Sequence, residues 1–294
     1  MLLNWDLAGA EWVIVAYLCV DPNMLRIVEN KLDAHAETGQ LITGAPIELI
    51  QRERKLLGEM TDANRIEELR RQHIPELFDV RFLPRTMSIR QAGKKANHGL
   101  NYGEEYRTFA LMNEIEEKEA KSIIHAYRYI AYPGIVEWYQ EIKDDLRAGG
   151  RVLYDLLDSK CFFMGNWNED LYRQAYAFKP QGTVGRITCR ALSLAMDDDE
   201  PYMQLLELLA QVHDSVKGSY PLEWLNMARA VLRMKQHMSV PLKAKGREFV
   251  LGVDFKCGLN GADMVEVRMG DDADALAGLL EQAYSKLTIR KVAV

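Results

Sequence analysis

A chain of 294 residues, 48% hydrophobic and 27% charged, can bury a core sufficient for one large domain or two closely joined ones. No apolar run approaches the ~18 residues of a membrane span, and the opening Met1-Leu2-Leu3-Asn4-Trp5-Asp6 lacks the basic stretch and long apolar core of a secretion signal. The four cysteines, Cys19, Cys161, Cys189 and Cys257, form no CxxC pair, which argues against structural zinc or a disulfide framework and for a reducing compartment. The formal net charge of -6 counts mildly against a polyanion partner, although local clusters of charge govern such contacts.

In chain order, a short apolar run predicts a strand ending near Asp6, followed by a buried helix through Glu11 to Leu18 that Asp21-Pro22-Asn23 breaks. A second helix is expected from Met24 to about Lys31. Residues 48–74 carry Glu53, Arg54, Lys55, Glu59, Glu68, Arg70 and Arg71 at helical spacing, the pattern of a solvated helical insertion. Ser88 is placed to cap a helix reaching Tyr102 and closed by Gly103. Helices are expected over 114–130 and 134–147, separated by Tyr132-Pro133-Gly134, with a strand starting at Arg151. A long helix is expected from Gly182 to about Ala195. An apolar run from Leu205 to Val212 leads into His213-Asp214-Ser215. Residues 222–238 read as a helix, 249–255 as a strand and 271–290 as a terminal helix.

Three clusters carry chemistry. The first is Asp6-Leu7-Ala8-Gly9-Ala10-Glu11, a carboxylate at a strand end with a second five positions on; alone, such an aspartate is more often a cap or loop residue. The second runs from Arg90 to Gly103 and contains Lys94, Asn97, His98 and Tyr102. On a helix, Arg90 and Lys94 share a face one turn apart. Cations so stacked repel, and a triphosphate between them would relieve the repulsion, one side chain acting as a fork and the other as a point charge. A solvated basic face is the competing reading. The third is Gln211-Val212-His213-Asp214-Ser215, an apolar run delivering a carboxylate, or an ordinary turn.

The three clusters, in this order, resemble motifs A, B and C of family A DNA polymerases. Asp33-Ala34-His35-Ala36-Glu37-Thr38 resembles a fingers segment of that family, Pro180-Gln181-Gly182-Thr183 its run beside the primer-template, and residues 240–255 its last palm strand. The resemblance covers roughly residues 1–260. It implies an α+β fold in which an antiparallel-sheet palm carries mostly helical fingers. The palm would comprise 1–23 and 131–260, the fingers 24–130, and a C-terminal extension 261–294. It implies template-directed DNA synthesis by two-metal nucleotidyl transfer from a dNTP to a primer 3′-hydroxyl. Asp6 and Asp214 would be the catalytic metal ligands, with the backbone carbonyl of Leu7, holding two Mg²⁺ (or Mn²⁺). His35, Arg90, Lys94, His98, Tyr102 and Glu11 would form the nucleotide site, with Glu11 rejecting a ribose hydroxyl. Gln181, Arg173 and His213 would touch primer-template DNA. A cytoplasmic enzyme without membrane contact is implied.

Several positions depart from the family pattern. Ala8 stands where motif A has Ser, Ser215 where motif C has Glu, and His98 where Phe or Tyr is usual. The segment Leu156-Leu157-Asp158-Ser159-Lys160 has few of the expected arginines. A divergent, phage-encoded member is expected. Because motif A begins almost at Met1, a split polymerase, a truncated fragment or a decayed gene is expected too, a split enzyme having its thumb and exonuclease on a separate chain. Two other readings compete: a single-subunit RNA-polymerase-like enzyme, which shares the His-Asp-Ser form, and an inactive nucleic-acid-binding polymerase subunit.

Overall fold

The computed structural model describes residues 1–58 and 60–292, without the side chains of the last four of these. The chain opens with strand β1 (Leu2–Leu7) and helices α1 (Ala10–Cys19), α2 (Pro22–Glu29), α3 (Ala34–Thr43), α4 (Ile47–Leu57) and α5 (Ala63–His73). Helices α6 (Ile89–Leu100), α7 (Tyr106–Asn113), α8 (Glu117–His125) and α9 (Gly134–Ala148) follow. Next come β2 (Val152–Tyr154), β3 (Lys160–Phe162) and the long α10 (Glu169–Met196). The last part holds β4 (Glu207–Val212), β5 (Ser215–Ser219), α11 (Trp224–Met238), β6 (Pro241–Ala244), β7 (Arg247–Val250), β8 (Val253–Gly258), β9 (Met264–Glu266) and α12 (Ala273–Val292). The fold is α+β, as expected. No helix among the described residues is long and apolar enough to cross a membrane.

The chain forms two compact units. One comprises Met1–Glu11, Asp155–Ser159 and Pro180–Val294. Its centre is a five-stranded sheet of order β4-β5-β1-β8-β9, with β1 antiparallel to both β5 and β8. Strand β1 alternates in burial: Leu3, Trp5 and Leu7 are buried while Asn4 and Asp6 face the other way, as the two-residue pleat requires. Trp5 anchors the inner face. Its ring lies 5.5 Å from that of Phe255, and its indole N–H donates to the carbonyl of Val231 on α11 at 3.2 Å. Helix α12 packs along α11, with the rings of Trp224 and Tyr284 5.4 Å apart. Glu59, and residues 293–294 of the expected C-terminal extension, lie outside the described residues.

The other unit, Trp12–Tyr154 and Lys160–Lys179, is mostly helical, and its helix starts are written in the sequence. Asp21 caps α2 by accepting from the backbone N–H groups of Asn23 and Met24, with Pro22 in the first turn. Asp33 caps α3, Asp62 caps α5 and Ser88 caps α6. Helices α3 and α6 touch backbone to backbone. A Cβ on Gly93 would lie 2.1 Å from the carbonyl oxygen of His35, and one on Gly39 would meet the carbonyl oxygen of Ile89 at 2.9 Å, so only glycine fits at either place.

Four expectations need correction. Residues 48–74 are two helices whose charged residues are not all solvated: Glu53 and Arg70 form a buried ion pair, and Ile50, Leu57 and Ile66 join the core. Charge spacing alone could not separate one inward Glu and one inward Arg from their solvated neighbours. The helix expected over 114–130 ends at His125 and continues as one wide turn over Ala126–Ala131, which buries Tyr127 and Ala131. The helix expected from Gly182 begins at Glu169 and runs through Pro180, although an interior proline removes a backbone hydrogen bond and crowds the preceding turn, at a cost of ~3 kcal/mol. The strand expected over 249–255 is two strands parted at Leu251-Gly252, and β7 pairs with β6 in a separate small sheet.

Candidate active site

In the sheet unit, β4 and β5 form a hairpin in which Val212 opposes Ser215, so His213 and Asp214 are its two turn residues. His213 adopts a φ of 54°, the left-handed backbone that tight hairpin turns favour. The central strand then ties to this turn, the backbone N–H of Leu7 donating to the carbonyl of Asp214 at 3.1 Å. Asp6 sits beside Ser215 in register, and Asp214 is the residue just before Ser215 in the turn. Burial first, then the charges of Asp214 and Asp254, push the Asp6 carboxyl up to about 6, against a smaller opposing effect of Lys256.

Two neighbouring carboxylates can hold a hard divalent cation between them. The Leu7 side chain is buried on the far face of the sheet, so that residue could offer only its backbone carbonyl. Among the described residues no group of three or more His, Cys, Asp or Glu side chains has metal-binding geometry. The donor set is therefore two carboxylates, fitting Mg²⁺, which keeps several waters and takes one or two protein carboxylates. In the same unit, Gln181 reaches Glu11 at 3.5 Å. Gln211 donates to Thr188 at 2.6 Å, joining α10 to β4 just before the turn.

Asp254 was missed from the sequence. It lies directly opposite Asp6 across β1 and β8, and its carboxyl is raised by burial and then by Glu266. The alternation Val253-Asp254-Phe255-Lys256 held the signal, but only the register with β1 turns it into a neighbour of Asp6.

In the helical unit, α6 presents Arg90, Lys94 and His98 beside α3. The cation pair has a counter-ion of its own: Arg90 donates to Asp33 at 2.6 Å, and Arg54 approaches the same oxygen at 3.4 Å. Lys94 is in no ion pair among the described residues and lines a cleft of about 640 Å³ with His98, Tyr102, Glu104, Arg173 and Met112. Arg173 itself is paired with Glu105 and Asp170.

His35 is held by a buried polar network. Asn97 Oδ1 faces the hydroxyls of Thr38 at 3.0 Å and Tyr127 at 3.2 Å, so the Asn97 amide N–H donates to His35 Nδ1 at 3.2 Å. Tyr127 also reaches Asn101 at 2.7 Å, and Thr38 meets the Tyr132 hydroxyl at 2.7 Å. With Nδ1 an acceptor, the proton of the neutral ring is on Nε2. Burial, then Arg90, outweigh the attraction of Asp33 and lower the His35 imidazole to about 4. His35 is thus a neutral donor at pH 7, its ring 6.2 Å from that of His98. Asn97 and Asp33, the residues that fix His35 and Arg90, carried no separate signal in the sequence beyond their places in the two motifs.

The α+β architecture, with a carboxylate-bearing antiparallel sheet, is that of a nucleic-acid polymerase domain. It aligns with the POL domain of Pol1 from M. smegmatis, solved in complex with DNA primer-template and dNTP, at a TM-score of 0.63 and 19% identity, covering 94% of this chain and 40% of that one. The family model of DNA polymerase family A matches residues 67–258, and the chain belongs to that family. Curated relatives include the thermostable DNA polymerase I of Thermus filiformis, 23% identical over 253 residues (82% of this chain), and DNA polymerase I of Caldicellulosiruptor bescii, 22% identical over 268 residues (88%). The chain spans about a quarter of the length of these relatives, 25% and 26% respectively.

Proposed function

We propose that the chain performs template-directed DNA synthesis, joining a dNTP to a primer 3′-hydroxyl. The observation that carries this is the meeting of Asp6 and Asp214 at the ends of neighbouring strands in a family A chain. When bound, two Mg²⁺ ions would neutralise the reacting phosphates and make the hydroxyl a better nucleophile. Asp6 and Asp214 hold that charge in place, with the Leu7 carbonyl as a further ligand. Lys94, Arg90 and neutral His35 bind the triphosphate, while His98 and Tyr102 line the place of the base and sugar. Gln181, Arg173 and His213 contact the primer-template. In this reading residues 24–130 act as fingers, 1–23 with 131–260 as palm, and 261–294 as an extension of it.

Ser215, in place of the glutamate of motif C, supports an RNA-polymerase-like second reading. Glu11, held by Gln181, favours the first, because a carboxylate beside the sugar excludes a 2′-hydroxyl. Single-nucleotide incorporation separates the two. The wild type is expected to prefer dNTPs, and Glu11→Ala to raise the relative use of rNTPs by tenfold or more. A wild type that prefers rNTPs favours the second reading, and unchanged discrimination in the variant removes Glu11 from sugar selection.

A further inference from the structure

The outer face of the five-stranded sheet carries a second row of polar residues, set back from the carboxylates. One pleat behind Asp6 on β1 stands Asn4, whose register partners are Lys217 on β5 and Lys256 on β8. Residues two apart on a strand, and residues opposite across strands, share a face. Lys217, Asn4 and Lys256 therefore lie on the same side of the sheet as Asp6 and Asp254. The reverse side is the packed core, where Trp5, Val216 and Phe255 are buried. Both lysines are exposed. Lys179, Lys235 and Lys243 are paired with carboxylates, whereas Lys217 and Lys256 enter no ion pair among the described residues. Lys256 faces Glu266 in register without closing on it.

We propose that Lys217 and Lys256 form a phosphate seat for the primer strand, positioning its last linkages so that the 3′-hydroxyl reaches Asp6 and Asp214. The inference rests on the polymerase reading and names residues within it. Two residues of a strand advance about 6.5–7 Å, and each nucleotide of a duplex strand advances about 3.4 Å. The lysine row thus lies about two nucleotides behind a 3′-end placed at the carboxylates. Two strand spacings of about 4.8 Å separate the lysine backbones. Their long flexible stems let each ammonium act as a point charge on a phosphate crossing the sheet. The alternative, that they merely balance Asp6, Asp254 and Glu266, predicts no dependence on the primer backbone.

The test is primer-template binding by the full chain as a function of salt, for the wild type and for Lys217→Gln, Lys256→Gln and the double variant. Two lost phosphate contacts should lower the slope of log affinity against log salt by about 1.8, at ~0.9 per phosphate. KM for primer-template should rise tenfold or more with KM for dNTP unchanged, and Lys→Arg at both positions should restore binding. A primer with uncharged methylphosphonates at its last two linkages should weaken the wild type but not the double variant. If the double variant keeps the wild-type slope, or is weakened as much as the wild type by the modified primer, the seat is wrong. A wild type that still incorporates nucleotides then leaves the polymerase reading standing. A wild type with neither primer-template affinity nor incorporation overturns both.

Discussion

His35 shows how one side chain is set by neighbours that lie far from it in sequence. Asn97 fixes its tautomer, and burial with Arg90 keeps it neutral. Because its folded-state value, about 4, lies below the ordinary ~6.5 of an imidazole, the unfolded chain takes up a proton between those values that the folded chain refuses. Stability is therefore lost as pH falls from about 6.5 towards 4, and His35 has no such effect above that window. Thermal unfolding at pH 7 and pH 5 should show His35→Gln losing less stability than the wild type over that interval. Parallel losses would contradict the assignment. Asp6 works in the opposite sense: its raised value, about 6, stabilises the folded state at low pH and is lost as pH rises through 6. A matched His35 variant cancels that contribution. Much of this residue-level chemistry was legible as types and spacings: Asp6, Glu11, Arg90, Lys94 and Asp214 stand in motifs. The roles of Asp254 and Asn97 and the Arg90–Asp33 pair were not, because each depends on a partner across a strand pair or a helix pair.

Helix α6 is placed by residues well before it. Buried Glu53 accepts from Arg70 at 2.8 Å through Nε and from the backbone N–H of Ile89, at the first turn of α6, at 2.6 Å. Arg70 in turn donates to the carbonyls of Pro84 and Met87. The ion pair thus clamps the segment leading into the helix that carries Arg90 and Lys94. Ile50, Ile74, Leu77 and Ile89 form the apolar cluster around it. Removing one partner leaves a buried charge, which costs about 3–5 kcal/mol. Glu53→Ala should therefore lower the melting temperature by several degrees and weaken dNTP binding. Glu53→Leu with Arg70→Met should recover part of the stability but not the α6 geometry, read as dNTP affinity. If Glu53→Ala is neutral in both measurements, the clamp does no such work. The helix starts were readable from their Asp and Ser caps. The inward turn of Glu53 and Arg70 was not, since charge spacing is blind to which face is buried. The continuation of α10 through Pro180 likewise depends on packing that overrides proline's local penalty.

At the scale of the whole molecule, the charge of -6 and the pairing of Arg173 with Glu105 and Asp170 oppose the attraction of duplex phosphates. Duplex affinity scales with the phosphates neutralised. In a primer-extension assay with a trap for dissociated protein, the purified chain should add only a few nucleotides per binding event. Long products from one event would contradict this. The order β4-β5-β1-β8-β9 was invisible in the sequence because β1 pairs with β5 and β8, each more than two hundred positions away. The resemblance of ordered motifs conveyed the fold where local patterns could not. The most direct measurement is single-nucleotide incorporation with Mg²⁺ by Asp6→Asn and Asp214→Asn, each checked by thermal melting. The expected result is a loss of about a thousandfold or more, equivalent to roughly 4 kcal/mol of transition-state stabilisation, in proteins that melt no lower than the wild type. Wild-type incorporation by either folded variant would contradict the assignment of the carboxylate pair as the catalytic centre.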